Sequence, residues 1–274
     1  MSKIHDNIMI VLQSIRLRAG AKSNDFPFSV PVIQQLGELC FESPVTVFIG
    51  ENGTGKSTLL EGIAAAIHAI TIGGNNIDQD ETLDHARTLA ASMVLSWTVK
   101  TRRGFFLRAE DFFNFSKELA RTRKQMEAEI ERVKVEYADS SPLAQGLAKA
   151  PFVSSLHEME SRYGKDLDAR SHGESFLQLF KARFVPNGLY VLDEPEAPLS
   201  PVRQLALVAM MKDMAGQGCQ FLVATHSPIL MAYPGATILS LDDVPMKKVA
   251  FDDIEHVKFM RMFLNDPENF LNRL

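Results

Sequence analysis

The nonapeptide GENGTGKST, Gly50 to Thr58, is the segment that most restricts what this chain can become. It satisfies G-x-x-x-x-G-K-[ST], and it sits between two contrasting stretches. Before it runs PVTVFIG (44–50), apolar almost throughout; after it Leu59, Leu60, Ile63, Ile67 and Ile70 recur at helical spacing. A strand, a glycine turn and a helix in that order make a phosphate cradle. Gly50, Gly53 and Gly55 let the backbone curl, so that N–H groups along Glu51, Asn52, Thr54 and Gly55 point inward at the start of a helix. Lys56 then sets a point charge against the β- and γ-phosphates, Ser57 offers a hydroxyl to Mg²⁺, and Thr58 reaches the α-phosphate.

Other strand-like runs are IMIVLQSIRLR (8–18), SMVLSWTVK (92–100), GFFLRA (104–109), GLYVLDE (188–194), CQFLVATH (219–226) and ATILSLDD (236–243). The runs at 44–50, 188–194 and 219–226 do not alternate. That is the pattern of strands covered by helices on both faces, as in a parallel sheet. Ser200 followed by Pro201 predicts a helix start with Ser200 as its cap, and Gly216 its end. The fold class expected is α/β, a P-loop core with a mostly parallel sheet flanked by helices.

Residues 110–170 read differently. Leu119, Met126, Ile130, Val133 and Tyr137 form a 3–4 spaced stripe among charges, closed by Pro142, and a weaker helical piece follows. We expect an α/β core from 1–109 and 171–274, with 110–170 as an inserted helical subdomain. The arm is far too short for a long coiled-coil tether.

Bulk properties exclude several classes. A net charge of −5 gives no overall basic footprint, although KTRRG (100–104) and RTRK (121–124) are local basic clusters that a nucleic acid could use. No apolar run reaches the roughly 18–20 residues a membrane span needs, and the first residues lack a secretory pattern. A cytoplasmic protein without membrane insertion is expected. Cys40 and Cys219, each in an apolar stretch, read as buried thiols in a reducing compartment.

Two further strand ends carry chemistry. Leu189 to Leu192 lead into Asp193 and Glu194, so both carboxylates emerge at the C-terminal edge of a buried strand, where nucleotides sit in open α/β sheets. Asp193 is the expected Mg²⁺ ligand with Ser57, and Glu194 the general base for an attacking water. His226 ends another buried strand 32 residues later, placed to reach the γ-phosphate or the water.

The order of these parts resembles the ATP-binding-cassette (ABC) class of ATPases, in its non-transport branch with the SMC and DNA-repair ATPases and short stand-alone bacterial ATPases. It runs P-loop, helical insertion, Ser/Gly turn opening a helix, hhhhDE strand, then a strand ending in His. The resemblance makes ARSHGESFLQLF (169–180) readable, because its RSHGE stands where that class carries LSGGQ. Ser171 and Gly173 match, while His172 and Glu174 depart. It implies that Ser171, His172, Gly173 and Glu174 of one copy cap the γ-phosphate held by the P-loop of another, in a head-to-tail homodimer that closes on Mg-ATP. It further implies an ATP hydrolase working on a protein effector, with relatives active beside nucleases or toxins in antiviral defence. A transporter subunit and a nucleotide-gated scaffold with negligible turnover are the alternatives. The altered signature, the lack of a Gln at a secure switch position and Ser200 in the turn after Glu194 argue against the transporter. Arg108 or Glu110 are the candidates for that switch position, and Phe26 or Phe28 for stacking on adenine.

Overall fold

The computed structural model describes residues 10–21, 23–72, 77, 80–163 and 172–272. A six-stranded sheet forms its centre, in the order β5 (Phe106–Arg108), β6 (Leu189–Asp193), β7 (Gln220–Ala224), β3 (Val45–Ile49), β8 (Thr237–Ser240) and β9 (Lys247–Lys248). Every pairing is parallel except the last, β8 with β9. A smaller antiparallel sheet sets β1 (Leu12–Leu17) between β2 (Leu39–Cys40) and β4 (Met93–Trp97). The expected α/β class is the one observed.

The apolar runs without alternation now have their reason. Side chains on a strand point alternately to two faces, and here both faces are covered. Phe48, Val191, Leu222 and Ala224 pack under the small sheet and the helices α2 (Lys56–Ala66) and α3 (Asp84–Ala91). Their neighbours Val47, Tyr190, Leu192, Phe221 and Val223 pack under α6 (His172–Arg183), α7 (Pro201–Ala215) and α8 (Pro228–Met231). The two sheets are also joined by one polar side chain. Gln220, fully buried, accepts from the N–H groups of Val11 and Leu12 and donates to the Leu12 carbonyl. Burying a primary amide is tolerated because its bonds are made.

The inserted segment is a helical hairpin of α4 (Ala109–Glu136) and α5 (Pro142–Tyr163). The apolar stripe lies on the less exposed side of α4, with Val133 buried, and Arg123 reaches across to Glu160 at 3.3 Å. At about 1.5 Å per residue α4 extends about 42 Å. The remaining α-helices among the described residues are α1 (Pro31–Gln34), α9 (Glu255–Asn265) and α10 (Pro267–Leu271). No helix among the described residues is long and apolar enough to cross a membrane.

Four expectations need correction. Pro142 does not close the first arm helix: α4 already ends at Glu136, and Pro142 opens α5, where its missing N–H costs nothing. The helix after the P-loop stops at Ala66, so Ile67 only caps it and Ile70 lies beyond it, 45% exposed. Ser200 does occupy the N-cap of α7, but its side chain makes no capping bond. Cys219 is buried, whereas Cys40 is exposed, because β2 is an edge strand with one face to solvent.

Candidate functional site

The P-loop joins β3 to α2, and three features hold its shape. The Asp242 carboxylate, just past β8, accepts the Glu51 N–H at 2.7 Å. The Thr54 hydroxyl donates to the Glu51 carbonyl at 2.9 Å. Gly55 caps α2 in the left-handed region, φ 98°, and a Cβ there would lie 2.5 Å from Val30 Cγ1. Only glycine meets both demands, the backbone angle and the approach of the 30–32 segment. With no side chain capping α2, its first N–H groups are left for an anion.

Lys56 is buried, and its ammonium donates to the carbonyls of Gly50 at 2.8 Å and Glu51 at 2.9 Å, inside the curl. Burial lowers its pKa, opposed by the carboxylates of Glu194, Asp193, Asp242 and Glu196. Glu51, Asn52, Gly53 and Ser57 are exposed at the mouth, and Thr58 is partly so. A cavity of about 900 Å³ opens beside the loop, bounded by residues 50–54, His226, Asp242, His256 and Phe259.

Asp193 ends β6 and is only 6% exposed. Burial pushes its carboxyl up to about 7, against the pull of a hydrogen bond from the Ser57 hydroxyl; Glu194 and Glu61 push the same way as burial. Its Oδ1 is shut off from solvent and has no hydrogen-bond partner. A buried carboxylate oxygen without a partner, beside a serine hydroxyl, is a donor set suited to Mg²⁺, which takes one or two protein oxygens and completes its shell with water and phosphate. Among the described residues no group of three or more His, Cys, Asp or Glu side chains could hold a metal on its own.

A pH dependence follows from this carboxyl. Between pH 3.8 and about 7 the folded chain holds a proton at Asp193 that the unfolded chain has released. Metal-free wild type is therefore expected to lose stability relative to Asp193→Asn as pH rises through that window, and no further above it. Urea unfolding of both proteins across the window measures this; parallel pH profiles would contradict it.

Glu194 follows at φ 50°, a left-handed conformation uncommon for a non-glycine residue. Its N–H donates to the Ala224 carbonyl at 2.9 Å, which extends the β6–β7 ladder by one bond. The side chain comes within 3.8 Å of His226 Nε2, too long for a hydrogen bond, and that nitrogen has no hydrogen-bond partner. Lys56, Ser57, Asp193, Glu194 and His226 thus share one edge of the sheet.

The remaining candidates divide. Ser171 lies outside the described residues. His172, Gly173 and Glu174 form the first turn of α6, which begins two residues earlier than Glu174. Of the two phenylalanines, Phe28 is core, while Phe26 is 58% exposed with its ring 5.1 Å from that of His85. Of the two switch candidates, Glu110 is exposed at the surface and Arg108 is a hub, 11% exposed. Arg108 pairs with Asp111, Asp80 and Glu110 and comes within 3.8 Å of Glu61 on α2. It is also the register partner of Asp193. Burial opposes its charge, and the carboxylates of Asp111, Glu110 and Asp80 outweigh burial to raise its pKa.

Sequence reasoning passed over Glu196, Gln204 and Asp242. Each holds a loop of the site through a long-range bond. Glu196 stands two residues past the Asp193-Glu194 pair and Asp242 within the run ATILSLDD, but their partners lie 30 and 191 residues away.

A mostly parallel sheet between helices, a P-loop after β3, an Asp-Glu pair ending β6 and a His after β7 give this chain the arrangement of a P-loop α/β fold. Residues 33–140 match the AAA domain family. The chain is 27% identical over 191 residues to the vitamin B12 import ATP-binding protein BtuD of Vibrio cholerae serotype O1, covering 65% of this chain and 66% of that protein, just under two thirds of its length. Among solved structures, an ATP-binding cassette of an ABC transporter in its ADP conformation is 15% identical, with a TM-score of 0.45 over 92% of this chain and 99% of that one. An SMC head bound to the winged-helix domain of ScpA is 13% identical, with a TM-score of 0.45 over 88% and 98%.

Proposed function

We propose that this protein hydrolyses ATP with Mg²⁺ in a head-to-tail homodimer and uses the cycle to gate a protein partner through the helical subdomain, 110–170. The observation that supports this best is the convergence of Lys56, Asp193, Glu194 and His226, with the last two side chains 3.8 Å apart and the His226 Nε2 free to take a third group. Mg²⁺, held by Ser57 and Asp193, would neutralise charge on the β- and γ-phosphates. Lys56 exchanges its two loop carbonyls for phosphate oxygens, and the open N–H groups of α2 complete the cradle. Glu194 accepts a proton from the attacking water, while His226 orients that water or the γ-phosphate. The first turn of α6 in the second copy, with Ser171 and Gly173, presents its dipole and N–H groups to the same phosphate. Adenine rests on Phe26, the exposed ring of the pair.

Complementation tests the shared site. Lys56→Ala and Ser171→Ala are each expected to be inactive alone. Mixed, they rebuild one intact site from the P-loop of one chain and the turn of the other, and turnover returns to a fraction of wild type. A mixture as inactive as its parts would overturn the head-to-tail arrangement.

A membrane-transporter subunit is the second reading, favoured by the similarity to a vitamin B12 import protein. Co-purification with a membrane-spanning partner would favour it. An effector of the nuclease or toxin kind in defence belongs to the first reading and would be identified the same way.

A further inference from the structure

Glu194 and His226 stand on different loops, and something must fix the distance between them. Glu194 follows β6 and His226 follows β7. The sheet ladder registers Asp193 with Ala224, and the Glu194 N–H to Ala224 carbonyl bond adds one more rung. Beyond that rung the strands part. The next link is made by a side chain: Glu196 Oε1 accepts the His226 N–H at 2.7 Å. Glu196 stays in place because the turn around it is closed, with Ala197 N–H bonded to the Glu194 carbonyl and Leu199 N–H to its own. A second bridge lies behind the first. Gln204 on α7 accepts from the Ser227 hydroxyl at 2.5 Å and donates to the Leu199 carbonyl at 3.0 Å, tying the same two loops farther from the chemistry.

Glu196 is costly to keep where it is. Its Oε2 is closed off from solvent without a hydrogen-bond partner. Burial pushes its carboxyl up, against the Thr225 hydroxyl and the His226 N–H, and the nearby charge of Glu194 adds to the push. A second acid beside Glu194 is repelled by it. A residue that costs stability in this way and bonds the His226 N–H next to the reacting groups points to a role in position, not cohesion.

We propose that Glu196 is a positioning residue for hydrolysis: its side chain ties the His226 backbone to the turn carrying Glu194 and so sets the gap between the two groups that handle the attacking water. This rests on the ATPase reading. It concerns reach and not charge, which separates two conservative variants. Glu196→Gln loses the charge but keeps an acceptor oxygen at the same length. Glu196→Asp keeps the charge but withdraws the acceptor by one methylene.

Steady-state hydrolysis is measured for wild type and both variants, together with amide hydrogen exchange at His226. Glu196→Asp is expected to lose about 10–100-fold in kcat with KM for ATP within about twofold, because the nucleotide is held elsewhere. Glu196→Gln is expected to keep most of the turnover. The His226 amide exchanges faster in Glu196→Asp and stays protected in Glu196→Gln, a readout that needs no catalysis and that also shows whether each variant is folded. The reverse ranking, or equal kcat in all three, overturns the proposal. Wild type that binds ATP without turning it over sinks the ATPase reading instead, a result no variant can imitate.

Discussion

On the proposed cycle, Glu194→Gln is expected to lower turnover by about 10²–10⁴-fold and to leave ATP binding intact. Gln fills the same volume and can hold the same left-handed turn, so the bond from residue 194 to the Ala224 carbonyl survives. What disappears is the basic carboxylate 3.8 Å from His226. Lys56, Ser57 and Asp193 are untouched, so on the proposed cycle the nucleotide is still captured and held. The trapped state should run as a dimer on a sizing column with Mg-ATP and as a monomer without. Single-turnover hydrolysis measures the first effect, and elution volume the second. Undiminished hydrolysis would move the general base elsewhere and leave Glu194 without a role in the proposed cycle.

Gly104→Ala is expected to do to the fold what Glu194→Gln does to the chemistry. Residue 104 lies at φ 121°, and a Cβ there would stand 1.8 Å from the Leu189 carbonyl oxygen and 2.7 Å from its carbon. These are backbone atoms that cannot rotate away. The bonds on either side, Leu189 N–H to the Arg103 carbonyl and Val191 N–H to the Phe105 carbonyl, attach the edge of the sheet to β6. An alanine must lift that edge off the strand that ends in Asp193. A loss above about 4 kcal/mol is expected, which for a chain of this size lowers Tm by roughly 10 °C or prevents soluble expression. A melting temperature within about 2 °C of wild type would show that the edge yields more easily than its bonding suggests.

Much of this architecture was legible because its signals are local. A helix start, a strand end and a glycine loop announce themselves within ten residues, and GENGTGKST, YVLDE and VATH each lie at the strand edge expected of them. Seven strand-like runs all contain strands, since apolar runs of that length between turn residues leave few other solutions. What escaped is non-local. The order β5-β6-β7-β3-β8-β9 depends on which strands pair, and no short window holds that. Gln220 looks like an isolated polar residue in a strand until β1, more than two hundred residues earlier, arrives to meet it. Glu196 reads as one more acid in an acidic turn. Cys40 misled because an apolar neighbourhood along the chain does not say whether the strand lies at an edge.

The arm has a mechanical property that its composition alone conceals. β5 ends at Arg108 and α4 begins at Ala109, with no residue between them to act as a swivel. The root of the arm is an arginine wedged among four carboxylates and paired in register with Asp193. A load taken up near residues 137–141 would therefore meet a stiff lever, with its torque delivered to the sheet edge and not absorbed in a flexible joint.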